Sequence, residues 1–571
     1  MKHFASKLLS LTMALMLVLS ASAFAEIPDY LHVGSTPLVD SPVTLKIALE
    51  LNDETTDPYD TWTYEYVTKI LGVNVELEYF YDSTRNERIS LIMASAELPD
   101  MIMACNLSTS ELSKYGASEG LLLDLAPYLT EENAPNLTKL MAENDNIRNA
   151  VTMTDGRVFS LPYVMVEPKG SQTVREYYNF DWLEELGLAV PTTLDEFVDM
   201  LRAFKAKDEN IIPLGGNYAR YNPTYLIFNA LGYNFTGDYH LRSGYETMIG
   251  LRNGEIVMPC YDREVYTKYL EVMHQIYSEG LMEQDFFTLD KDTVTAHLVA
   301  GQYGVFSDVP SVFGGIEFGQ QWFGGIPLTS KYNDTPFWPN YTGVTPGAIV
   351  ISADTKYPEL CVAFADHLYG EKSSDYFAAC WGPSVNETDL LLGKTSGWFF
   401  DASIGDRNYQ DYIDHADEYD NSLFYLYRNI PMWRPHRVGI QYDYVGTMPD
   451  ENGNDIVLCE YPEGDDIMEL AKSRKTANNI NDQYKLAQIL GWGKYLTDEF
   501  VPTVFYFDED TTLRVEELRT LISEYASLES AKFIIGTRDL SEVDKFFDEL
   551  EKLGADEYVQ YYADYYAATK N

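Results

Sequence analysis

Apolar and polar positions along this chain repeat with two periods, and the switches between them mark the elements. Val73, Val75, Leu77 and Tyr79 alternate with Asn74, Glu76 and Glu78, which predicts a strand with one buried face. Ahead of it, Thr44 to Leu51 reads as a first strand, followed by a polar loop over 52–61 and a helix from about Trp62 to Leu71. Ile89, Ile92, Met93 and Ala96 then fall at i, i+3, i+4 and i+7, the spacing of a helix face, before Leu98 to Met103 returns to a strand. Strand, helix, strand, helix, strand is the order of a parallel sheet flanked by helices.

The most sharply punctuated stretch is Arg175 to Leu214. It reads as a short extended segment over Glu176 to Asn179, a polar turn and two helices. Thr193 and Glu196 have the spacing of a capping box, Pro191 fixes the entry, and Leu194, Phe197, Val198, Leu201 and Phe204 share one face. Near the end, Ser541 and Asp544 are read as caps of a helix that carries Val543, Phe546, Phe547, Leu550 and Leu553. Tyr558, Tyr561, Tyr562, Tyr565 and Tyr566 continue at helical spacing, a stripe expected to pack rather than to bind.

Length adds a second domain to this picture, since 571 residues exceed what one core usually supports. Lys2 and Lys7 precede an apolar run from Leu8 to Leu19, and Ala23-Phe24-Ala25 offers a small-x-small cleavage site, so residues 1–25 are expected to be a secretory signal peptide. Without Lys2 and Lys7 the chain keeps 39 basic against 89 acidic residues, a formal charge of −50. That charge opposes nucleic acid and anionic membrane surfaces as partners. The five cysteines, Cys105, Cys260, Cys361, Cys380 and Cys459, are dispersed without metal spacing, and an odd number leaves at least one without an intrachain partner.

Catalytic signatures are missing from the sequence: it has no GxSxG, HExxH, P-loop or GxGxxG motif, and its eight histidines are scattered singly. Paired carboxylates suited to glycoside cleavage remain the enzyme alternative, because 89 acidic residues could hide such a pair. Asp208 and Asn210 lie in a junction too short for a calcium loop and are read as a turn. Asn452-Gly453, between two β-like runs, is read as a hairpin. No metal or cofactor is expected.

The order of several motifs resembles the extracellular solute-binding proteins, the ligand receptors of ABC importers, in their oligosaccharide- and alginate-binding branch. The run Tyr178-Asn179, Asp181-Trp182, Leu186 to Leu188, Pro191-Thr192 and Glu196-Phe197 carries most of this likeness. Ala96 to Asp100, Glu119 to Leu125, Asp155 to Pro162 and Ala300 to Val305 add to it, as do Gly347 to Ser352 and Phe533 to Gly536. Residues 370–530 match poorly. The resemblance implies an α/β, two-lobe periplasmic-binding-protein fold with a multi-strand hinge and an interlobe ligand cleft. Lobe 1 is expected over 44–165 and 345–395, and lobe 2 over 166–344 and 396–571. It also implies an exported, monomeric receptor, periplasmic or extracellular, that binds an oligosaccharide and delivers it to an ABC transporter permease. With no cysteine at the cleavage site, a lipid anchor is not expected.

Sugar recognition asks for flat apolar faces and planar polar groups. With 44 Tyr and 8 Trp the composition allows it. Aromatic residues beside loop formers are the candidates: Tyr163, Trp338, Tyr341, Trp381 and Trp433, the last with Arg434. Asp53, Asp57, Arg220 and Asn222, in loops after predicted strands, are the polar candidates, whereas Trp182 and Trp492 are assigned to packing. A neutral sugar is favoured over a uronate, which a chain at −50 repels at long range.

Overall fold

The structure is a computed structural model of the chain. It describes residues 27–51, 57–95, 97–166, 174–235, 244–372, 374–378, 381–387, 390–391, 397–415, 438–442, 444–477, 479–502 and 504–569. The expected signal peptide, 1–25, lies outside the described residues, as do Asp53, Cys380, Trp433 and Arg434. Among the described residues no helix is long and apolar enough to cross a membrane.

The chain divides into two compact units, each threaded by several segments. The first takes the described residues of Met1–Val164, Val344–Trp398 and Tyr409–Gln441, the second those of Met165–Gly343, Phe399–Asn408 and Tyr442–Asn571. The expected partition put everything after residue 395 into one lobe, so the assignment of Tyr409–Gln441 to the first unit differs from it.

The first unit is built on a six-stranded sheet. Its strands are β1 (Thr44–Leu51), β2 (Asn74–Tyr81), β3 (Met101–Met103), β4 (Leu161–Val166), β11 (Val344–Ile351) and β14 (Ile440–Tyr442), in the order β14-β4-β11-β3-β1-β2. β1 runs parallel to β2, with Thr44 opposite Asn74 and Leu51 opposite Tyr81, and parallel to β3. β2 alternates buried and exposed because it is the edge strand, whereas Met101 to Met103 are buried on both faces between β1 and β11. β11 is antiparallel to both β3 and β4. The helix expected from Trp62 begins as a regular turn over Trp62–Glu65, then widens over Tyr66–Ile70, where Leu71 N–H reaches back to Tyr66 O. Trp62 is fully buried there and donates its indole N–H to Leu390 O at 2.9 Å.

The second unit carries a four-stranded sheet of β5 (Glu176–Asn179), β6 (Ile212–Leu214), β9 (Tyr303–Ser307) and β10 (Trp322–Gly324), in the order β10-β5-β9-β6. β6 and β9 are parallel, and β5 runs antiparallel to β9 and β10. Among the described residues three two-stranded pairs lie outside the main sheets: β7 (Gly250–Arg252) with β8 (Glu255–Val257), β12 (Phe399–Asp401) with β13 (Asp406–Asn408), and β15 (Thr447–Pro449) with β16 (Asp455–Val457). The last is the hairpin expected at Asn452-Gly453, closed by Asp450, whose side chain accepts from the Asn452 and Asn454 N–H groups.

The capping box forms as the sequence spacing predicts. Thr193 Oγ1 accepts from Glu196 N at 3.2 Å and Glu196 Oε2 accepts from Thr193 N at 3.2 Å, opening the helix Leu194–Lys207. Phe197, Leu201 and Phe204 are fully buried beneath it, with Trp182 edge-on to Phe204. At the other end of the unit the expected cap is corrected. Asp539, not Ser541 or Asp544, closes the helix start, accepting from Ser541 N before a tight turn leads into Val543–Lys552. The tyrosine stripe packs as expected, with Tyr562 and Tyr565 set against the Phe505 and Phe507 rings.

Candidate functional site

Open α/β sheets present ligands at the carboxyl ends of their parallel strands, because the loops there are free of the covering helices. In the first unit those ends belong to β1, β2, β3 and β4. β1 runs out at Leu51, and the next described residue is Asp57, which is exposed and accepts from Tyr59 N at 3.0 Å to close a single turn. β3 leads into Ala104 and Asn106, both with positive φ (66° and 43°), a conformation that costs energy in residues other than glycine. The loop is held from both sides. Ala104 N and Leu107 N donate to Ala348 O and Gly347 O at 2.7 and 2.9 Å. Gly347, at φ 74°, has no room for a Cβ against the Leu107 backbone. From below, Arg85 donates to Cys105 O at 3.0 Å and makes a two-pronged pair with Glu111 at 3.1 and 2.9 Å. Burial works against ionising Glu111, but Arg85 and Ser108 still hold its carboxyl below the usual range.

In the second unit the corresponding ends are those of β6 and β9. After β6, Gly216 takes φ 130° where a Cβ would strike Tyr221 O, and Asn217 ties the following turn by accepting from Arg220 N and Tyr221 N at 3.0 Å each. β9 leads into Asp308, at φ 125°, whose N–H donates to Arg175 O at 2.9 Å and whose carboxylate accepts from Val309 N at 2.8 Å. Of the five non-glycine residues with positive φ among the described residues, three (Ala104, Asn106 and Asp308) thus follow a strand end of a main sheet. Backbone strain collects where a ligand-facing geometry has to be held fixed.

Beside Asp308, Glu176 opens β5 and is completely buried. Neither of its carboxyl oxygens has a hydrogen-bond partner of ordinary geometry. Burial pushes its carboxyl well above the usual range, against a weaker pull from the Ser307 hydroxyl, so the protonated form is favoured. Burial likewise pushes the Cys105 and Cys260 thiols up, so neither is a thiolate nucleophile. Cys361 and Cys459 are buried and free as well.

The sequence candidates are scattered by comparison. Trp338 lies in the interior of the second unit. It is fully buried, stacked on Trp492 at 5.3 Å and edge-on to Tyr225 at 5.2 Å, so core residues already occupy its surroundings. Tyr163 is 5% exposed and gives its hydroxyl to Gln441 Oε1 at 2.5 Å. Asn222 is 2% exposed, and its oxygen accepts from Thr224 N and Thr224 Oγ1. Both are buried with partners inside the fold. Asp57 and Arg220 do sit after strand ends and are exposed, Arg220 lying 5.5 Å from the Tyr221 ring. Tyr341 is half-buried, and Trp381, also half-buried, stacks on Tyr409 at 6.1 Å within a small aromatic cluster of the first unit. Asp208 accepts from Asn210 N at 2.8 Å, an ordinary turn. Sequence reasoning missed Asn106 and Asp308. The buried run Tyr303 to Ser307 followed by Pro310 marks a strand end, but nothing in it signals the strained φ that follows.

Comparison with known proteins adds the lineage. The family model of bacterial extracellular solute-binding proteins matches residues 52–374. The fructooligosaccharide ABC transporter substrate-binding protein FusA of Streptococcus pneumoniae is 23% identical over 590 aligned positions, covering 99% of this chain and 98% of that protein. Its solved complex with kestose matches with a TM-score of 0.63 at 19% identity, covering 92% of this chain and 99% of that one. An HMO-binding, ABC-transporter-associated solute-binding protein from Bifidobacterium longum infantis matches with a TM-score of 0.68 at 17% identity, covering 93% and 99%.

Proposed function

This chain belongs to the bacterial extracellular solute-binding protein family, and from that premise we propose that it is the exported substrate-binding receptor of an ABC importer, taking a neutral oligosaccharide. The observation that carries this reading is the end-to-end match to FusA, which spans 99% of the chain and so includes both units. The strand ends support it, because they offer what hydroxyl-rich ligands need: carboxylates, amides and fixed backbone groups on strained loops. Asp57 and Arg220 are the proposed contacts that sit on those loops, with Tyr341 and Trp381 as aromatic partners. Asp53, Trp433 and Arg434 stay proposed contacts outside the described residues.

The preference for a neutral ligand rests on charge. A chain with 89 acidic and 41 basic residues repels a polyuronate at long range, and only a local basic cluster would reverse that. The receptor is proposed to act as a monomer, outside the cytoplasmic membrane, handing its ligand to a permease.

Incubating the purified protein with a panel of neutral oligosaccharides tests the receptor role. A rise in melting temperature with chemically unaltered ligand is expected, since binding to the native state alone stabilises it. Appearance of shortened products would replace this reading with that of a polysaccharide-cleaving enzyme.

A further inference from the structure

A cavity of about 430 Å³ opens within the second unit, away from the strand ends. Its walls come from four places: the loop after the helix Tyr225–Ala230, the turn between β7 and β8, the segment 331–337, and Thr497 to Glu499. None of its lining residues belongs to the loops that follow β6 or β9. Pockets for small ligands span about 300–1,000 Å³, so this one has room for a mono- or disaccharide.

Its chemistry is specific. Tyr332 and Phe337 are half-buried aromatic residues, and Asn234, Asn253, Asp334 and Glu499 supply planar amides and carboxylates. Flat rings take the C–H face of a sugar, and planar polar groups pair its neighbouring hydroxyls. Asn234 is 5% exposed, and its side-chain oxygen has no hydrogen-bond partner, although its amide nitrogen donates to Glu499 O at 3.0 Å.

The walls are also fixed in advance. Asn234 and Leu251 exchange backbone hydrogen bonds at 2.8 Å, Asn229 donates to Phe337 O at 2.9 Å, and Asn333 donates to Asn229 O at 3.1 Å. Asn253 is held at φ 54° on the turn. A pre-formed wall saves the ordering cost that weakens binding to loops.

We propose that this cavity is a second saccharide site, separate from the strand ends, that takes one neutral mono- or disaccharide unit. Among the described residues the lining carries two carboxylates, Asp334 and Glu499, and one cation, Lys331, whose ammonium lies 4.5 Å from the Tyr332 ring. That balance disfavours uronates. It does not favour a bound metal ion either, because no cluster of three or more His, Cys, Asp or Glu among the described residues could hold one.

The test is saturation-transfer NMR and calorimetry on the full chain with sucrose, maltose and lactose, with galacturonate as the anionic control. The neutral sugars are expected to bind weakly, and Glu499→Ala and Tyr332→Ala are each expected to weaken that phase about tenfold. Thermal melts run in parallel show whether each variant folds, and if Tyr332→Ala does not, the exposed Glu499→Ala decides. Unchanged binding in the variants, no disaccharide signal, or equal binding of galacturonate would overturn the second site. Longer oligosaccharides titrated into the same samples report separately on the receptor reading: their failure to bind while the weak phase persists would sink that reading and leave this site standing.

Discussion

Glu176 is a fully buried acid with no ordinary hydrogen-bond partner, and Asp366 is 1% exposed with its carboxyl pushed up by burial to about 6. Asp366 differs in being answered, since Leu137 N, Asn136 N and Asn136 Nδ2 all donate to it. Both groups hold their proton in the folded state over a range where the unfolded chain has lost it. Their stabilising contribution is therefore complete below the ordinary carboxylate range and falls as pH rises, for Asp366 between about 4 and about 6. Glu176→Gln keeps the shape and removes the titration. Its stability relative to wild type should rise steadily from pH 4.5 to pH 8, read by urea unfolding at several pH values; a constant difference across that range would mean that Glu176 is ionised in the fold. On the strand-end loops, Arg220→Ala and Asp57→Ala are each expected to weaken oligosaccharide binding by about 1 kcal/mol, the usual worth of one exposed hydrogen bond, with unchanged melting temperature for Arg220→Ala and a small drop for Asp57→Ala, which also loses the bond from Tyr59 N. Calorimetry on the two variants reads this, and an affinity unchanged in both would remove them from the site.

Helix starts show what a local reading of sequence can and cannot reach. The capping box at Thr193 and Glu196 was legible because its partners are three residues apart, and both reciprocal bonds are present. Thr193→Ala should cost about 1 kcal/mol. The helix Pro135–Glu143 has Ala134 at its N-cap, with no side chain to give, and its first N–H groups are met by Asp366, 229 residues from Leu137. No spacing rule finds that pair. Asp366→Ala should cost more than Thr193→Ala, about 1–3 kcal/mol, because it leaves buried donors unanswered. Urea melts of the two variants give the ranking, and an equal or smaller cost at Asp366 would show that water replaces it. The burial of Trp338 was hidden for a related reason. A Trp between Phe337 and Pro339 looks like a loop aromatic, yet the segment pairs through Trp338 N and Tyr495 O at 2.6 Å and inserts the ring beside Trp492. Trp492 itself was legible as packing.

Across the whole chain, the α/β class could be read from the order of strands, whereas the lobe bounds came from the family resemblance. The units change at 164/165 and 343/344, where the resemblance implied 165/166 and 344/345. The later crossings could not be read. Tyr409–Gln441 rejoins the first unit through β14, a strand of three residues, too short to show a period. At this scale the proposal of a neutral ligand rests on the chain's charge, −48 overall, which repels a polyuronate at long range. Isothermal calorimetry of the purified protein against matched neutral and uronate oligosaccharides, at low and moderate salt, therefore tests the central claim most directly. The account predicts saturable binding of a neutral oligosaccharide, insensitive to salt. A clear preference for uronates that weakens as salt rises, or binding to peptides alone, would contradict it.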